Sequence, residues 1–178
     1  MSTMSLPDLT LILGGAASGK SAYGEQMVNA AGRRKVYLAT AQAFDTEMKE
    51  KIALHRQSRD ADWDTIEEPV DIAPVIRSQD AGSVLFIDCA TLWLTNILLS
   101  DRAIETECGA FLDALSDCPC PVVVVSNEVG AGIVPDNALS RRFRAAQGKL
   151  NQQLAAKADR VVAVMAGLPL TLKAADPS

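Results

Sequence analysis

The chain has 178 residues, of which 48% are apolar and 22% are charged, and its formal net charge is −5. This length and apolar content suit one domain covering residues 1–178, which can bury a hydrophobic core and is too short for two domains. Because proteins that bind nucleic acid generally use an excess of basic residues to displace counterions, the acidic balance argues against such a partner.

The cysteines and the apolar segments argue against a zinc protein, a secreted protein and a membrane protein. The four cysteines lack the C-x-x-C spacing of a zinc site and are expected to be free thiols: Cys89, Cys108, Cys118 and Cys120. The first residues show no secretory signal, and polar side chains interrupt the longest apolar stretch, residues 84–99. These features predict a soluble, cytoplasmic protein with no membrane partner.

Short apolar runs alternate with longer amphipathic segments from the start of the chain. Residues 9–13 and 35–39 are predicted strands, since continuous Val, Ile and Leu is typical of strands buried on both faces. Between them, residues 19–31 are predicted to form a helix that ends near Gly32. Residues 45–59 are predicted to form a second helix, with an acidic residue at its start and an apolar stripe that includes His55.

The alternation continues to the end of the chain. Residues 70–79 contain Pro74 and are predicted as a short helix that starts late or as a broken one. Further strands are predicted at 83–87, 121–126 and 160–165, helices at 103–116 and 139–157, and a short edge strand at 170–173. This order predicts a doubly wound α/β fold of the P-loop NTPase type, with a mostly parallel sheet flanked by helices.

The strongest local signal follows the first strand, where residues 14–21 fit the pattern G-x-x-x-x-G-K-[ST] of a P-loop. Glycines let successive backbone N–H groups face a phosphate, and the N-terminus of the following helix favours anionic oxygens. We expect Lys20 to contact the terminal phosphates and Ser21 to hold Mg²⁺. The predicted nucleotide site therefore contains Gly14, Gly15, Ala16, Ala17, Ser18, Gly19, Lys20 and Ser21. The motif alone does not separate kinases, GTPases and motors.

A second candidate, Asp88, follows the strand predicted at 83–87. A carboxylate at this position holds Mg²⁺ in P-loop folds, directly or through water, while the alternative is that Asp88 caps a helix over residues 90–100. Asn127 and Glu128, at the end of the next strand, are open to either role. The segment 126–129 also lacks the Asn-Lys-x-Asp pattern that reads guanine in GTPases, which argues against that class.

His55 is the only histidine of the chain, and Arg56 and Arg59 follow it. One interpretation is a packed helix residue. The other is a neutral imidazole that attacks the α-phosphorus of a nucleotide, while the guanidinium groups stabilise the displaced pyrophosphate. The residue pattern leaves both interpretations open.

Several segments together resemble the bifunctional adenosylcobinamide kinase / adenosylcobinamide-phosphate guanylyltransferase family of cobalamin biosynthesis. They occur in order along nearly the whole chain: residues 11–21, 37–41, 44–48, 52–56, 63–69, 87–96, 125–135, 141–144 and 150–154. The alternatives are a small-molecule P-loop kinase without guanylyltransferase activity and a nucleotide-switched binding module.

The resemblance implies an enzyme with two reactions on a corrinoid substrate. ATP or GTP phosphorylates the aminopropanol arm of adenosylcobinamide, and GMP is then transferred from GTP through a guanylylated histidine to give adenosylcobinamide-GDP. The resemblance makes Lys20 and His55 catalytic and suggests a homo-oligomer such as a trimer. It places further nucleotide contacts at Ala39, Thr40, Ala41, Arg56, Gln57, Ser58, Arg59, Glu67 and Asp88.

Two positions depart from the family pattern. Many relatives carry Arg where this chain has Ala17, and some have two adjacent histidines where Leu54 precedes His55 here. With a single histidine in the chain, either His55 carries GMP or no histidine does.

Overall fold

The computed structural model of the chain describes residues 6–42 and 62–175. The helix predicted at 45–59 lies outside these residues, and so do five predicted site residues: His55, Arg56, Gln57, Ser58 and Arg59. The described strands are β1 (Leu9–Gly14), β2 (Arg34–Ala39), β3 (Trp63–Glu67), β4 (Ser83–Asp88), β5 (Val122–Asn127), β6 (Arg160–Met165) and β7 (Leu168–Lys173).

These strands form one sheet in the order β3-β2-β4-β5-β1-β6-β7. All neighbouring strands are parallel except β6 and β7, which are antiparallel. The central strands are buried on both faces, which explains their uninterrupted aliphatic sequences. The predicted mostly parallel sheet is confirmed.

The described helices cover both faces of this sheet: α1 (Lys20–Ala30), α2 (Ile72–Arg77), α3 (Ala90–Leu98), α4 (Ile104–Asp117) and α5 (Ala138–Lys157). On one face, Trp93, Phe111 and Leu154 of α3, α4 and α5 pack into the larger core. On the other face, Val28 of α1 packs in a second core with Phe86 of the sheet. Helices on both faces confirm the doubly wound α/β fold.

The segment around Pro74 forms a short helix that starts late, one of the two predicted outcomes. Helix α2 begins at Ile72, so Pro74 falls in its first turn. The N–H groups of a first turn have no intrahelical partner, and the N–H that proline lacks costs little there.

The chain reverses between β6 and β7 in a two-residue turn at Ala166 and Gly167. Their φ angles are 52° and 75°, the left-handed values that tight hairpin turns require. The edge strand predicted at 170–173 is confirmed and begins earlier, at Leu168. No helix among residues 6–42 and 62–175 is long and apolar enough to cross a bilayer.

Candidate functional site

The loop between β1 and α1 is closely packed, and its lysine is folded onto it. A Cβ atom on Gly14 would lie 2.4 Å from Ser18 Oγ and 2.6 Å from the carbonyl oxygen of Val164, so only glycine fits. The Lys20 side chain is buried, and its Nζ donates a hydrogen bond of 2.8 Å to the carbonyl of Gly15. The loop thus holds a positive charge against its own backbone, where a phosphate oxygen can replace the carbonyl as partner.

The other loop residues are open to an incoming ligand. Gly15, Ala16 and Ala17 are exposed, and Ala17 has a left-handed φ of 55°. Ser18 Oγ is buried without a hydrogen-bond partner among the residues that the structure describes. An exposed run of backbone beside an unpaired hydroxyl suits the binding of phosphate oxygens.

The turn between β6 and β7 supports the loop from the side. The N–H of Gly167 donates a hydrogen bond of 2.8 Å to the carbonyl of Ser18. Gly19, whose φ is 92°, is so close that a Cβ there would lie 3.1 Å from the Cα of Gly167. This contact was missed by the sequence analysis, because the two segments lie at opposite ends of the chain.

The sheet register gathers the predicted residues at one edge. Ala39 lies between Glu67 of β3 and Asp88 of β4, and Gly14 lies beside Asn127 of β5. Since parallel strands end at the same edge, these positions converge next to the loop. Strand β5 separates β4 from β1, so Asp88 belongs to a strand roughly 10 Å from the loop strand.

The Asp88 carboxylate is oriented by a tyrosine rather than by a helix. Its Oδ2 accepts a hydrogen bond of 2.8 Å from the hydroxyl of Tyr37. The Tyr37 ring is held edge-on by Trp63 and Phe86, with centroids 5.9 Å and 5.3 Å away. The N-cap of α3 is Cys89, whose Sγ accepts from the N–H of Leu92, so the helix-capping alternative for Asp88 is wrong.

Thr40 joins the end of β2 to the backbone that follows Asp88. Its hydroxyl donates to the carbonyl of Cys89 at 2.7 Å and accepts from the N–H of Cys89 at 2.9 Å. The Thr40 side chain is fully buried, whereas Ala39 and Ala41 on either side are half-buried. The Thr40 hydroxyl therefore holds the turn after Asp88 in place.

The Cys89 thiol at this turn is unreactive near neutral pH. Burial, aided by the neighbouring Asp88 carboxylate, raises the pKa of Cys89 to about 11. The thiol is protonated near neutral pH, so it is not a competing nucleophile beside the phosphate loop.

A buried polar network holds the end of β5. The N–H of Asn127 donates to Thr91 Oγ1 at 2.7 Å, and its carbonyl accepts from Asn151 Nδ2 at 3.0 Å. Asn151 Oδ1 in turn accepts from Ser126 Oγ at 2.6 Å and from Gln147 Nε2 at 2.9 Å. The roles of Thr91, Gln147 and Asn151 were not predicted from the sequence, although a serine after four valines was a signal that polar partners were needed.

Glu128 shapes the loop that follows β5. Its N–H donates to the carbonyl of Gly14 at 3.0 Å, and its Oε1 accepts from the N–H of Gly130 at 2.5 Å. The carboxylate thus closes a local turn and caps none of the described helices. Arg144 of α5 donates to the carbonyl of Gly130 and holds the same turn.

The donor set at this edge fits a magnesium ion. Ser21 lies half-buried in the first turn of α1, and the Asp88 carboxylate ends β4. Among the described residues, no cluster of three or more His, Cys, Asp or Glu could hold a metal ion on its own. A hydroxyl and one carboxylate suit Mg²⁺, which usually completes its shell with water and substrate phosphates.

Solved structures of low sequence identity share the fold. The flagellar accessory protein FlaH from Methanocaldococcus jannaschii superimposes with a TM-score of 0.53 at 12% identity, covering 96% of this chain and 80% of that chain. An ATPase of a bacterial type III secretion system gives a TM-score of 0.55 at 15% identity, covering 94% of this chain and 57% of that chain. These similarities support the predicted P-loop NTPase fold and carry no information on activity or substrate.

Curated relatives are much more similar. The bifunctional adenosylcobalamin biosynthesis protein CobP of Pseudomonas aeruginosa is 47% identical over 166 residues, covering 92% of this chain and 96% of the relative. CobU of Escherichia coli, a bifunctional adenosylcobalamin biosynthesis protein, is 35% identical over 181 residues, covering 93% of this chain and 99% of the relative. The family model for cobinamide kinase / cobinamide phosphate guanyltransferase matches residues 10–172. The chain is a transferase of the cobinamide kinase / cobinamide phosphate guanyltransferase family.

Proposed function

We propose that this enzyme catalyses two successive reactions on a corrinoid. It phosphorylates the hydroxyl of the aminopropanol arm of adenosylcobinamide with ATP or GTP. It then transfers GMP from GTP to that phosphate, giving adenosylcobinamide-GDP and pyrophosphate. The observation that carries the proposal is the phosphate loop at residues 14–21, in a chain that matches the family over residues 10–172. Since both reactions consume nucleoside triphosphates, we place the enzyme in the cytoplasm.

Phosphoryl transfer requires positioning and neutralisation of charge. Lys20 would exchange the carbonyl of Gly15 for the terminal phosphates, while the loop N–H groups bind the remaining oxygens. Ser21 and Asp88 would hold Mg²⁺, which neutralises phosphate charge when bound. Tyr37 and Thr40 keep Asp88 in place through the hydrogen bonds to its carboxylate and to the adjoining Cys89 backbone. Ala39, Ala41 and Glu67 lie at the same edge and are proposed nucleotide contacts.

Guanylyl transfer requires a nucleophile, which we assign to His55. An imidazole nitrogen attacks the α-phosphorus of GTP, and the bond from that phosphorus to the pyrophosphate oxygen breaks as the P–N bond forms. A phosphate oxygen of the corrinoid then attacks the same phosphorus, and the P–N bond breaks to restore the imidazole. Arg56 and Arg59, with Gln57 and Ser58, would bind the displaced pyrophosphate. Because a protonated imidazole has no lone pair for attack, the rate of this step should fall in acid.

We also propose that the enzyme assembles into a homo-oligomer such as a trimer. Leu168, Leu170 and Leu172 alternate along edge strand β7 and are 71%, 64% and 58% exposed. Alternate residues of a strand share one face, so these side chains form a continuous apolar row. A second copy of the chain would cover it, and light scattering of the wild type and of Leu170→Glu tests this directly.

Product analysis by mass spectrometry tests the two reactions. Protein mixed with adenosylcobinamide, Mg²⁺ and GTP should yield both the phosphorylated and the GDP-capped corrinoid. A phosphorylated product alone would support the alternative of a kinase without guanylyltransferase activity. If no corrinoid product forms, the proposal is contradicted and the chain is left as a generic nucleotide binder. A partner protein retained with GTP and not with GDP would then favour the nucleotide-switched binding module.

Lys20→Ala tests the role of the loop in the first reaction. We expect kcat/KM for corrinoid phosphorylation to fall by about 10²–10³, the usual cost of removing one preorganised charge donor. The matched control is Lys149→Ala, which removes an exposed lysine of α5. Lys149 is far from the loop motif in the sequence. Equal activity in the two variants would remove Lys20 from the kinase site.

A further inference from the structure

A pair of cysteines lies at the edge of the sheet opposite the phosphate loop. Helix α4 ends at Asp117, and the chain bends through Cys118, Pro119 and Cys120 before β5 begins at Val122. The loop follows the carboxyl end of β1, whereas this segment precedes the amino end of β5, so the pair stands apart from the proposed site. The two Sγ atoms are 3.7 Å apart.

The two thiols differ in their access to solvent. Cys118 is half-buried and Cys120 is only 5% exposed. Both line a cleft of about 660 Å³, together with Arg33, Lys157 and Asp159. A small reagent in the cleft therefore meets Cys118 first, and Cys120 lies directly behind it.

The pair shares a proton. The two sulfurs are within hydrogen-bond distance, and either thiol can be the donor. This contact holds the pKa of Cys120 below its usual range, and the positive charge of Arg33 acts in the same direction. The same contact raises the pKa of Cys118. A thiolate on one of the two sulfurs is therefore stabilised by the thiol of the other.

The remaining thiols of the chain lack these properties. Burial raises the pKa of Cys89 and of Cys108 to about 11 in each case. Both side chains are buried, and neither lines the cleft. Thiol chemistry in this protein is therefore directed to the segment 118–120.

We propose that Cys118 and Cys120 form a redox-active dithiol, which closes to an intramolecular disulfide by exchange with a small disulfide of the glutathione class. The cleft is lined by the exposed cations of Arg33 and Lys157 and by the exposed carboxylates of Asp8 and Asp159. It suits such a reagent, because oxidised glutathione carries both carboxylates and ammonium groups that these side chains can meet. This role is independent of the two transferase reactions.

The exchange balances in two steps. The pair first loses one proton to solvent. With the remaining proton on Cys120, the Cys118 thiolate attacks one sulfur of oxidised glutathione, the S–S bond of that reagent breaks, and a mixed disulfide and one glutathione thiolate are formed. That thiolate takes the proton from Cys120. The Cys120 thiolate then attacks Cys118 Sγ, the Cys118–Cys120 bond forms, and the second glutathione leaves as a thiolate that takes back from solvent the proton lost in the first step. In total, two protein thiols are oxidised and one glutathione disulfide is reduced to two thiols.

The local backbone permits the closure. A disulfide needs the sulfurs about 2.0 Å apart and the Cα atoms at about 4.4–6.8 Å. Two residues separated by one position lie within roughly 7 Å even when fully extended, and the bend at Pro119 shortens that distance. Closure then brings the two sulfurs from the present 3.7 Å contact to bonding distance.

The test is equilibration of the purified wild-type enzyme with excess oxidised glutathione, followed by alkylation and mass spectrometry. We expect a product that lacks two hydrogens, carries no glutathione, and resists alkylation at Cys118 and Cys120 only. Peptide mapping should locate the new bond between these two positions. A stable glutathione adduct, or a pair that is still fully alkylated, would overturn the proposal.

Three variants, checked for native folding by circular dichroism, separate the roles of the thiols. Cys120→Ser should accumulate a glutathione adduct on Cys118, because no second thiol resolves it. Cys118→Ser should be unmodified at Cys120, which is buried. Cys108→Ser is the matched control and should form the disulfide like the wild type. A disulfide that disappears in Cys108→Ser would assign the redox activity to a different pair.

Discussion

Gly14 is the residue at which the phosphate loop tolerates least change. Its neighbours are the hydroxyl of Ser18, which can rotate away, and the carbonyl of Val164, which belongs to β6 and cannot. A Cβ atom on the adjacent Gly15 would meet no other atom within 4 Å. Packing therefore excludes a side chain at Gly14, whereas there is room for one at Gly15.

A stability measurement on two alanine variants tests this difference. Gly14→Ala should lower the free energy of unfolding by about 1–3 kcal/mol, the usual cost of overpacking, and weaken the binding of a non-hydrolysable GTP analogue. Gly15→Ala should change stability by no more than about 0.5 kcal/mol. Urea denaturation of both proteins decides the point, and equal losses would refute the contact with β6.

At the scale of single residues, the sequence predicts what depends on local pattern. The loop is recognisable because its glycines, Lys20 and Ser21 lie within one short segment. The roles of Tyr37 and Thr40 are not recognisable, since each contacts the Asp88–Cys89 turn from a different strand. Such long-range hydrogen bonds follow from the strand order, which no local pattern encodes.

At the scale of elements, the β6–β7 hairpin acts as a support for the phosphate loop. Its turn residue Gly167 donates to the carbonyl of Ser18 and packs against Gly19. Strand β7 is the only antiparallel strand among the described residues, and the turn that leads into it contacts the phosphate loop. The position of the loop therefore depends on this hairpin.

Two glycine-to-alanine changes should have opposite effects on stability. Gly167→Ala places a Cβ on a residue with φ of 75°, which costs about 1–2 kcal/mol. Gly148→Ala lies within α5 with open space around it, and the better helix propensity of alanine should stabilise the protein by about 1 kcal/mol. Thermal unfolding of the two variants gives the signs, and a stabilising Gly167→Ala would contradict the observed turn.

The network between α5 and β5 makes a second prediction for the elements. Asn151→Leu removes the side-chain donor to the carbonyl of Asn127 and the acceptor of the Ser126 hydroxyl, so stability should fall by about 2 kcal/mol or more. The exposed neighbour Gln152 is the control, and Gln152→Leu should cost no more than about 0.5 kcal/mol. Denaturant unfolding of both variants measures the difference, and similar values would show that the network does not hold β5.

The element predictions succeed where the aliphatic pattern is strong. Strands β1, β4, β5 and β6 are buried and continuous, and their predicted bounds agree within a residue at each end. Strand β3 was not predicted, because Trp63–Glu67 lies at the sheet edge and most of its side chains are exposed, with only Trp63 and Ile66 partly buried. An edge strand lacks the second buried face that makes the inner strands conspicuous.

At the scale of the whole molecule, the strand order makes one edge of the sheet a common site. Gly14, Asp88 and Ala39 come from three strands that are distant in sequence, and the parallel register brings their ends together. The proposed nucleophile, His55, belongs to the segment that follows β2 and begins from the same edge. We propose that the loop carries out the kinase step and that His55 carries the guanylyl group.

The most direct test of this account is covalent labelling with GTP radiolabelled at the α-phosphate. The wild type should acquire an acid-labile label without corrinoid and lose it when cobinamide phosphate is added. His55→Ala should acquire no label and still phosphorylate cobinamide, because Lys20 and the loop are intact. An acid-labile covalent label on His55→Ala, or a wild type that never becomes labelled, would contradict the account.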